Sequence, residues 1–139
     1  MSLLGIDLGT SGIKCVAYSL KGTPLKKVYR EYILHTPNIG TVELDPELVW
    51  GESLKKNLIQ LNSSEEVKKD PVTALSISVS GDEALLIDKN GKVLYNAIMP
   101  MDRRGALENQ HINDLIGAEQ IYKITGMPPD NLYALNRLL

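Results

Sequence analysis

The residues best suited to chemistry lie near the start, in Gly5-Ile6-Asp7-Leu8-Gly9-Thr10-Ser11-Gly12-Ile13-Lys14. One carboxylate, Asp7, interrupts an alternating apolar run of Leu4, Ile6 and Leu8. A carboxylate in such a run is costly to bury unless a cation neutralises it. Two residues later the chain turns through Gly-Thr-Ser-Gly. Gly9 and Gly12 permit a tight turn that brings backbone N–H groups to an anion. Thr10 and Ser11 add hydroxyl donors, and Lys14 adds positive charge. Asp7 can hold a hydrated Mg²⁺ against the same anion. Turn composition alone fits an ordinary hairpin equally well; the acid beside the turn favours a phosphate-binding tip. It is not a P-loop, because no GxxxxGK[ST] is present and the turn opens a strand rather than a helix.

The elements that must position these groups follow from periodicity. Residues 3–9 and 12–20 read as two strands, Lys21-Gly22-Thr23-Pro24 as a turn, and 25–34 as a third strand, giving an antiparallel meander. After a loop at 35–40, Asp45 and Pro46 supply an N-cap and a first-turn proline. The helix they begin carries Trp50, Leu54, Leu58 and Leu61 as one apolar stripe, and 62–71 is polar. Residues 72–79 are predicted to form a buried strand. Gly81 interrupts it, and 84–87 and 93–95 pair across Asp88-Lys89-Asn90-Gly91. Helices are expected over 103–116 and 118–124, with a third from about Asp130. This order predicts an α/β fold, a mixed sheet packed with helices rather than a Rossmann alternation.

The 139 residues have 43% apolar and 23% charged side chains, ordinary values for a globular protein. A formal net charge of −2 argues against a nucleic-acid or anionic-membrane surface. No apolar run is long enough to span a membrane, and no signal peptide precedes the first strand. The one cysteine, Cys15, cannot form an internal disulfide and reads as a small buried residue. Together these point to a cytoplasmic location.

Further segments carry a family resemblance in register with the first. Gly40-Thr41-Val42-Glu43-Leu44-Asp45-Pro46 is followed by Trp50; then come Ser76-Ile77-Ser78-Val79-Ser80-Gly81-Asp82, Leu86 to Gly91, Met101-Asp102-Arg103-Arg104 and Thr125-Gly126. With the GIDLGTSGIK stretch, this series resembles the FGGY carbohydrate kinases of the actin, Hsp70 and sugar-kinase superfamily, over almost the whole chain. The resemblance implies a ribonuclease-H-like (actin-like ATPase) fold and the N-terminal domain of a two-domain kinase. That kinase would transfer the γ-phosphoryl group of ATP, with Mg²⁺, to a hydroxyl of a sugar or polyol. Two departures fall where substrate contact is expected. Pro100 replaces the tryptophan of the family's W-x-D-x-R segment, and Ser80-Gly81-Asp82-Glu83 replaces the glutamine- or histidine-bearing loop of its xylulose kinases. They leave the class of substrate intact and the particular sugar open.

By that resemblance Thr10, Ser11 and Lys14 face the ATP phosphates and Asp7 orients Mg²⁺ through water. Asp102 and Arg104 lie at the cleft, the acid holding metal-bound water or a sugar hydroxyl and the arginine presenting a planar fork to phosphate or carboxylate oxygens. Asp102 can equally serve as the N-cap of the 103–116 helix. Asp82 is the candidate for sugar recognition, since a carboxylate accepts hydroxyl hydrogens in pairs; a plain loop aspartate is the competing reading. Family members are several times longer, so residues 1–139 are expected to be an incomplete N-terminal domain, a truncated kinase lacking its C-terminal domain. No catalytic base is expected in the chain, and alone it should be inactive. Exposed Leu132, Leu135, Leu138 and Leu139 should promote self-association. The alternative is a non-catalytic actin-like module that binds nucleotide or a partner.

Overall fold

Alternating apolar residues build three consecutive antiparallel strands, β1 (Ser2–Leu8), β2 (Gly12–Ser19) and β3 (Pro24–Glu31). In the computed structural model, which describes residues 1–139, the chain divides into two compact units. One comprises Met1–Ile33 and Pro46–Ser80; the other comprises Leu34–Asp45 and Gly81–Leu139. In the first, the meander is extended by a parallel strand from residues Val72–Val79, giving the strand order β3-β2-β1 followed by that strand. Two short strands, β4 (Glu43–Leu44) and β6 (Ala97–Ile98), pair in the second unit, so Val72–Val79 is β5. The mixed α/β sheet expected from the sequence is therefore present.

Strand pleating gives the four-stranded sheet two different faces. Leu4, Ile6, Ile13, Cys15, Ala17 and Val28 share one face and are buried. The other carries Gly5, Asp7, Lys14, Val16 and Tyr18 with Ser76 and Ser78 of β5. The buried face is covered by α1 (Leu54–Asn62) and a short helix the sequence reading did not include, α2 (Glu65–Lys69). That helix has acids in its first turn and lysines in its last, as the helix dipole favours.

A π-helical turn over Glu47–Ser53 precedes α1, with Pro46 in the capping position. This wider winding changes which side chains face the sheet. Val49, Ser53, Asn57 and Leu61 are buried, whereas Trp50, Leu54 and Leu58, expected to form the core stripe, are only half-buried. Asn57 takes a core position because it finds partners there. Its Nδ2 donates to the Ile13 carbonyl (3.1 Å), and its Oδ1 accepts from Arg30 Nε (3.2 Å). Buried polar groups persist only when paired in this way.

β5 differs from its expectation. It forms over the expected residues, but it is not buried: Leu75, Ile77 and Val79 are 59%, 50% and 60% exposed. They are in register with Leu4, Ile6 and Leu8 on the helix-covered face. However, α1 packs chiefly against β2 and β3 and α2 against β3, and the β5 side chains stay largely exposed.

In the second unit, β4 and β6 pair antiparallel over two residues, and single bridges add His35 to Glu43 and Ala84 to Ile98. The expected strand at 84–87 does not form a ladder because its ends have different partners: Ala84 pairs with Ile98 and Ile87 with Val93. The turn at 88–91 is as expected, with Asp88 Oδ1 accepting the Asn90 and Lys92 N–H groups (2.8 and 2.9 Å) and Gly91 at φ 81°. Next come α3 (Ala106–Ile116) and α4 (Ala118–Thr125), which ends in a left-handed cap at Gly126. α3 starts later than expected because residues 99–105 are spent on a turn, with Asp102 N–H on the Met99 carbonyl and Arg103 N–H on the Gly40 carbonyl. The third helix expected from Asp130 is instead a 3₁₀ turn, Ala134–Arg137. It buries Asn136 and Arg137 and leaves Leu132, Leu135, Leu138 and Leu139 exposed. No helix is long and apolar enough to cross a membrane.

Asn57→Leu should keep the volume of the side chain but lose both of its hydrogen bonds, stranding the Ile13 carbonyl. The expected loss is about 1–3 kcal/mol, read as a lower urea midpoint with an unchanged m-value. An unchanged midpoint would remove Asn57 from the account of this core.

Candidate functional site

The turn between β1 and β2 is closed by a hydrogen bond from Gly9 N–H to the Gly12 carbonyl (3.1 Å). Behind it, Tyr32 donates through its hydroxyl to the Gly9 carbonyl and through its N–H to the Ser11 carbonyl. Thr10 is half-exposed and Ser11 exposed at the tip. Neither Gly9 nor Gly12 has the left-handed backbone a tight glycine turn uses. Gly12 is required for a different reason: a Cβ there would lie 2.6 Å from Tyr29 Oη and 2.7 Å from the Arg30 carbonyl.

Asp7 and Lys14 are direct cross-strand partners on the open face of the sheet. Their charged groups are 3.8 Å apart and both side chains are about half-exposed. The contact is loose, so each group keeps unused hydrogen-bonding capacity. They line a shallow groove of about 270 Å³ together with Gly5, Val16, Tyr18, Ser76 and Ser78.

In the second unit, Asp102 is only 1% exposed. Its Oδ1 accepts from the Arg104 N–H (2.9 Å) and Arg104 Nε (2.9 Å). Its Oδ2 accepts from the Val42 N–H (2.6 Å) and Arg104 Nη2 (2.8 Å). Both expectations for this residue need correction. The N-cap position of α3 is Gly105, and a carboxylate buried with four donors has no face left for a sugar hydroxyl or metal-bound water. Asp102 instead clamps Arg104 in a bidentate fork, the strongest geometry available to this pair.

Glu43, also buried, completes the cluster. Its Oε1 accepts from Arg104 Nη2 (2.7 Å) and the Tyr95 hydroxyl (2.6 Å), and its Oε2 from Asn96 Nδ2 (3.1 Å). Burial pushes both the Glu43 and Asp102 carboxyls up, but the hydrogen bonds to their charged forms and the Arg104 charge outweigh it. Both titrate below the usual carboxylate range. The same carboxylates raise the Arg104 pKa further and keep it charged. Arg104 Nη1 is the lightly used end of the fork, with only Tyr95 Oη at 3.5 Å. The expected free fork for an anion is thus largely occupied. Two carboxylates against one guanidinium also leave the cluster net negative.

Asp82 is exposed and adopts φ 59°, alone among non-glycine residues in a left-handed backbone. Its carbonyl accepts from Nη2 of Arg137. The structure therefore gathers Glu43, Tyr95, Asp102 and Arg104 into one network and places Asp82 on a constrained turn. Glu43 had a sequence signal like that of Asp7, an acid between apolar Val42 and Leu44. Tyr95, Asn96 and Arg137 had none.

Because the folded pKa values of Glu43 and Asp102 are depressed, their contribution to stability is fully present above the ordinary carboxylate range. It is lost as pH falls through their lower folded values. Protection of the Val42 and Arg104 amides against hydrogen exchange should accordingly collapse below about pH 4. Arg104→Met should destabilise at neutral pH by about 3 kcal/mol, because it strands two buried carboxylates. Amide protection that is flat from pH 6 to 2 would contradict this.

Comparison with known proteins matches these features to a family. A model of the N-terminal domain of the FGGY family of carbohydrate kinases matches residues 2–139. A xylulose kinase of Staphylococcus epidermidis is 34% identical over 120 residues, covering 86% of this chain and 24% of that protein. A glycerol kinase of Trichormus variabilis is 29% identical over 139 residues, covering 98% of this chain and 27% of that protein. The crystal structure of a ligand-bound xylulose kinase from Lactobacillus acidophilus superposes with a TM-score of 0.86 at 25% identity, over 99% of this chain and 27% of that one. The chain thus spans about a quarter of the length of these relatives. Its mixed sheet and helices are those of the family's N-terminal domain, and the chain belongs to the FGGY family of carbohydrate kinases.

Proposed function

We propose that the chain contributes the phosphate-facing turn and the substrate-facing loops of an ATP-dependent kinase. The reaction is transfer of the γ-phosphoryl group of ATP to a hydroxyl of a sugar or polyol. The observation that carries this reading is the Asp7–Lys14 pair, a loosely joined carboxylate and ammonium on an open sheet face at the mouth of a Gly-Thr-Ser-Gly turn. Phosphoryl transfer demands positioning and charge neutralisation more than covalent help from the protein. Lys14 offers a point charge to phosphate oxygens, and Thr10 and Ser11 offer hydroxyl donors.

No group of three potential ligands forms a protein cage for a metal. A lone exposed carboxylate such as Asp7 fits a Mg²⁺ that keeps most of its waters and arrives with the nucleotide. The ion, when bound, neutralises phosphate charge; Asp7 accepts hydrogen bonds from its water shell. The chemistry of the donor set therefore fits ATP with Mg²⁺.

On the substrate side, Asp82 accepts hydroxyl hydrogens of the sugar or polyol, and Nη1 of Arg104 donates to one of its oxygens. Asp102 and Glu43 hold Arg104 in place. The net negative cluster favours a neutral polyhydroxyl compound over a phosphate or carboxylate. The relatives named above are a xylulose kinase and a glycerol kinase, and both names fit a neutral sugar or polyol. The buried free thiol of Cys15 suits a reducing cytoplasm, where we place the protein.

The test is a panel of ketoses, aldoses and polyols assayed for sugar-dependent ADP formation by the protein expressed from its complete reading frame. Nucleotide binding without turnover on any member would instead favour a non-catalytic nucleotide-binding module. In the active protein, Asp7→Asn should lower kcat about 100-fold, the usual scale for losing one electrostatic contact to developing charge, with the sugar KM little changed. Asp82→Asn should chiefly raise the sugar KM or shift preference within the panel, because its contacts already exist in the ground state. An intact kcat in the first variant, or an unchanged panel in the second, refutes the corresponding role.

A further inference from the structure

Arg137 is an arginine in an unusual setting. It is 7% exposed, and no carboxylate lies within ion-pairing distance. Its guanidinium is spent on backbone carbonyls. Nη1 donates to Pro100 (3.3 Å), Asn131 (3.1 Å) and Leu132 (2.8 Å), and Nη2 donates to the Asp82 carbonyl. Nε is buried with no partner. A buried guanidinium without a counter-ion is costly, and burial indeed depresses its pKa while the charges of Asp82 and Asp102 act in the opposite sense. Such an arrangement persists only where the group does something a neutral side chain cannot.

The turn that carries Arg137 is itself closely seated. Asn136 Nδ2 donates to Asn109 Oδ1 and to the Asp130 carbonyl. The Asn136 carbonyl packs so tightly on α3 that a Cβ at Gly105 would lie 2.4 Å from it. Asp82, at the other end, has the backbone conformation least natural for a residue with a Cβ. A residue in that conformation is retained when its surroundings over-determine it. The contact that does so here is the Nη2 donor of Arg137 on its carbonyl.

We infer that Arg137 is a positioning residue for substrate recognition: its two-armed guanidinium fastens the Asp82 backbone in its left-handed turn and so aims the exposed Asp82 carboxylate at the sugar or polyol. The inference rests on the assignment of Asp82 made above. It deepens that assignment by locating what sets the carboxylate's direction. One arm holds residues 100, 131 and 132 and the other holds 82. Lysine keeps the charge but has a single ammonium that cannot hold both arms.

The experiment compares Arg137→Lys, Arg137→Met and Asp82→Asn in the protein from its complete reading frame, with KM for sugar and for ATP, kcat and melting temperature. Arg137→Lys should raise the sugar KM roughly 10-fold, as misplacement of a positioned group does. Its ATP KM should stay within about twofold of wild type, and Arg137→Met should be worse in the same direction. A folded Arg137→Lys with an unchanged sugar KM overturns the inference, as does a parallel loss in both KM values and in melting temperature. If Asp82→Asn itself leaves the sugar KM unchanged, the assignment of Asp82 has failed. If it raises the KM and Arg137→Lys does not, only the present inference has failed. Should neither Arg137 variant fold, the wild-type chain decides the matter: backbone chemical shifts and the HN–Hα coupling of Asp82 must report a left-handed residue, and an extended one overturns the inference.

Discussion

Asp102 is the constraint around which the second unit is organised. A carboxylate removed almost wholly from water must have every acceptor position satisfied, and here four donors converge on its two oxygens. One donor is the Val42 backbone and the others belong to Arg104, so the acid joins the 40–45 segment to the 99–104 turn. Glu43 repeats the theme from the β4 side, and Tyr95 and Asn96 close it. The late start of α3 follows directly. Residues 102–104 form the clamp, and the Arg103 N–H is held by the Gly40 carbonyl before the helix begins.

The clamp also leaves Arg104 little free hydrogen-bonding capacity. A guanidinium with a free fork would suit a phosphate or carboxylate. One whose Nε and Nη2 are already held by two carboxylates offers a single, directional donor in a net negative setting. The charge around Arg104 is thus set by the surrounding carboxylates and not by the arginine alone.

The first unit works by a division of faces. Pleating puts the aliphatic row under α1 and α2 and, on the reverse, places Asp7 opposite Lys14 in the open. A carboxylate that would be costly on the covered face is solvated and accessible on the other. Turn closure by Tyr32 and the close approach of Tyr29 to Gly12 then set where Thr10 and Ser11 stand. In the second unit the usual polarity is reversed at the 134–137 turn, where Asn136 and Arg137 are inside and the leucines outside. Loop carbonyls at 82, 100, 131 and 132 have no ladder to join, and an arginine supplies donors to all of them at once.

Local rules determined much of this from the amino acids alone. Period-two alternation located the meander, and the Asp-Lys-Asn-Gly sequence located the turn at 88–91. Asp7, Thr10, Ser11 and Lys14 were legible because an acid in an apolar strand beside a glycine-rich turn is a local signal. Tertiary structure decided the rest, since burial depends on what packs where. The π-helical turn rotated the core stripe from Trp50, Leu54 and Leu58 to Val49, Ser53 and Asn57, and β5 stayed largely exposed. Asp102 became a buried clamp, and an arginine in an apolar stretch became the donor to two nearby carbonyls and two distant ones. Those outcomes turn on hydrogen-bond partners up to 61 residues apart in the chain, and no pattern of neighbouring side chains encodes which distant carbonyl or carboxylate will be left in need of a donor.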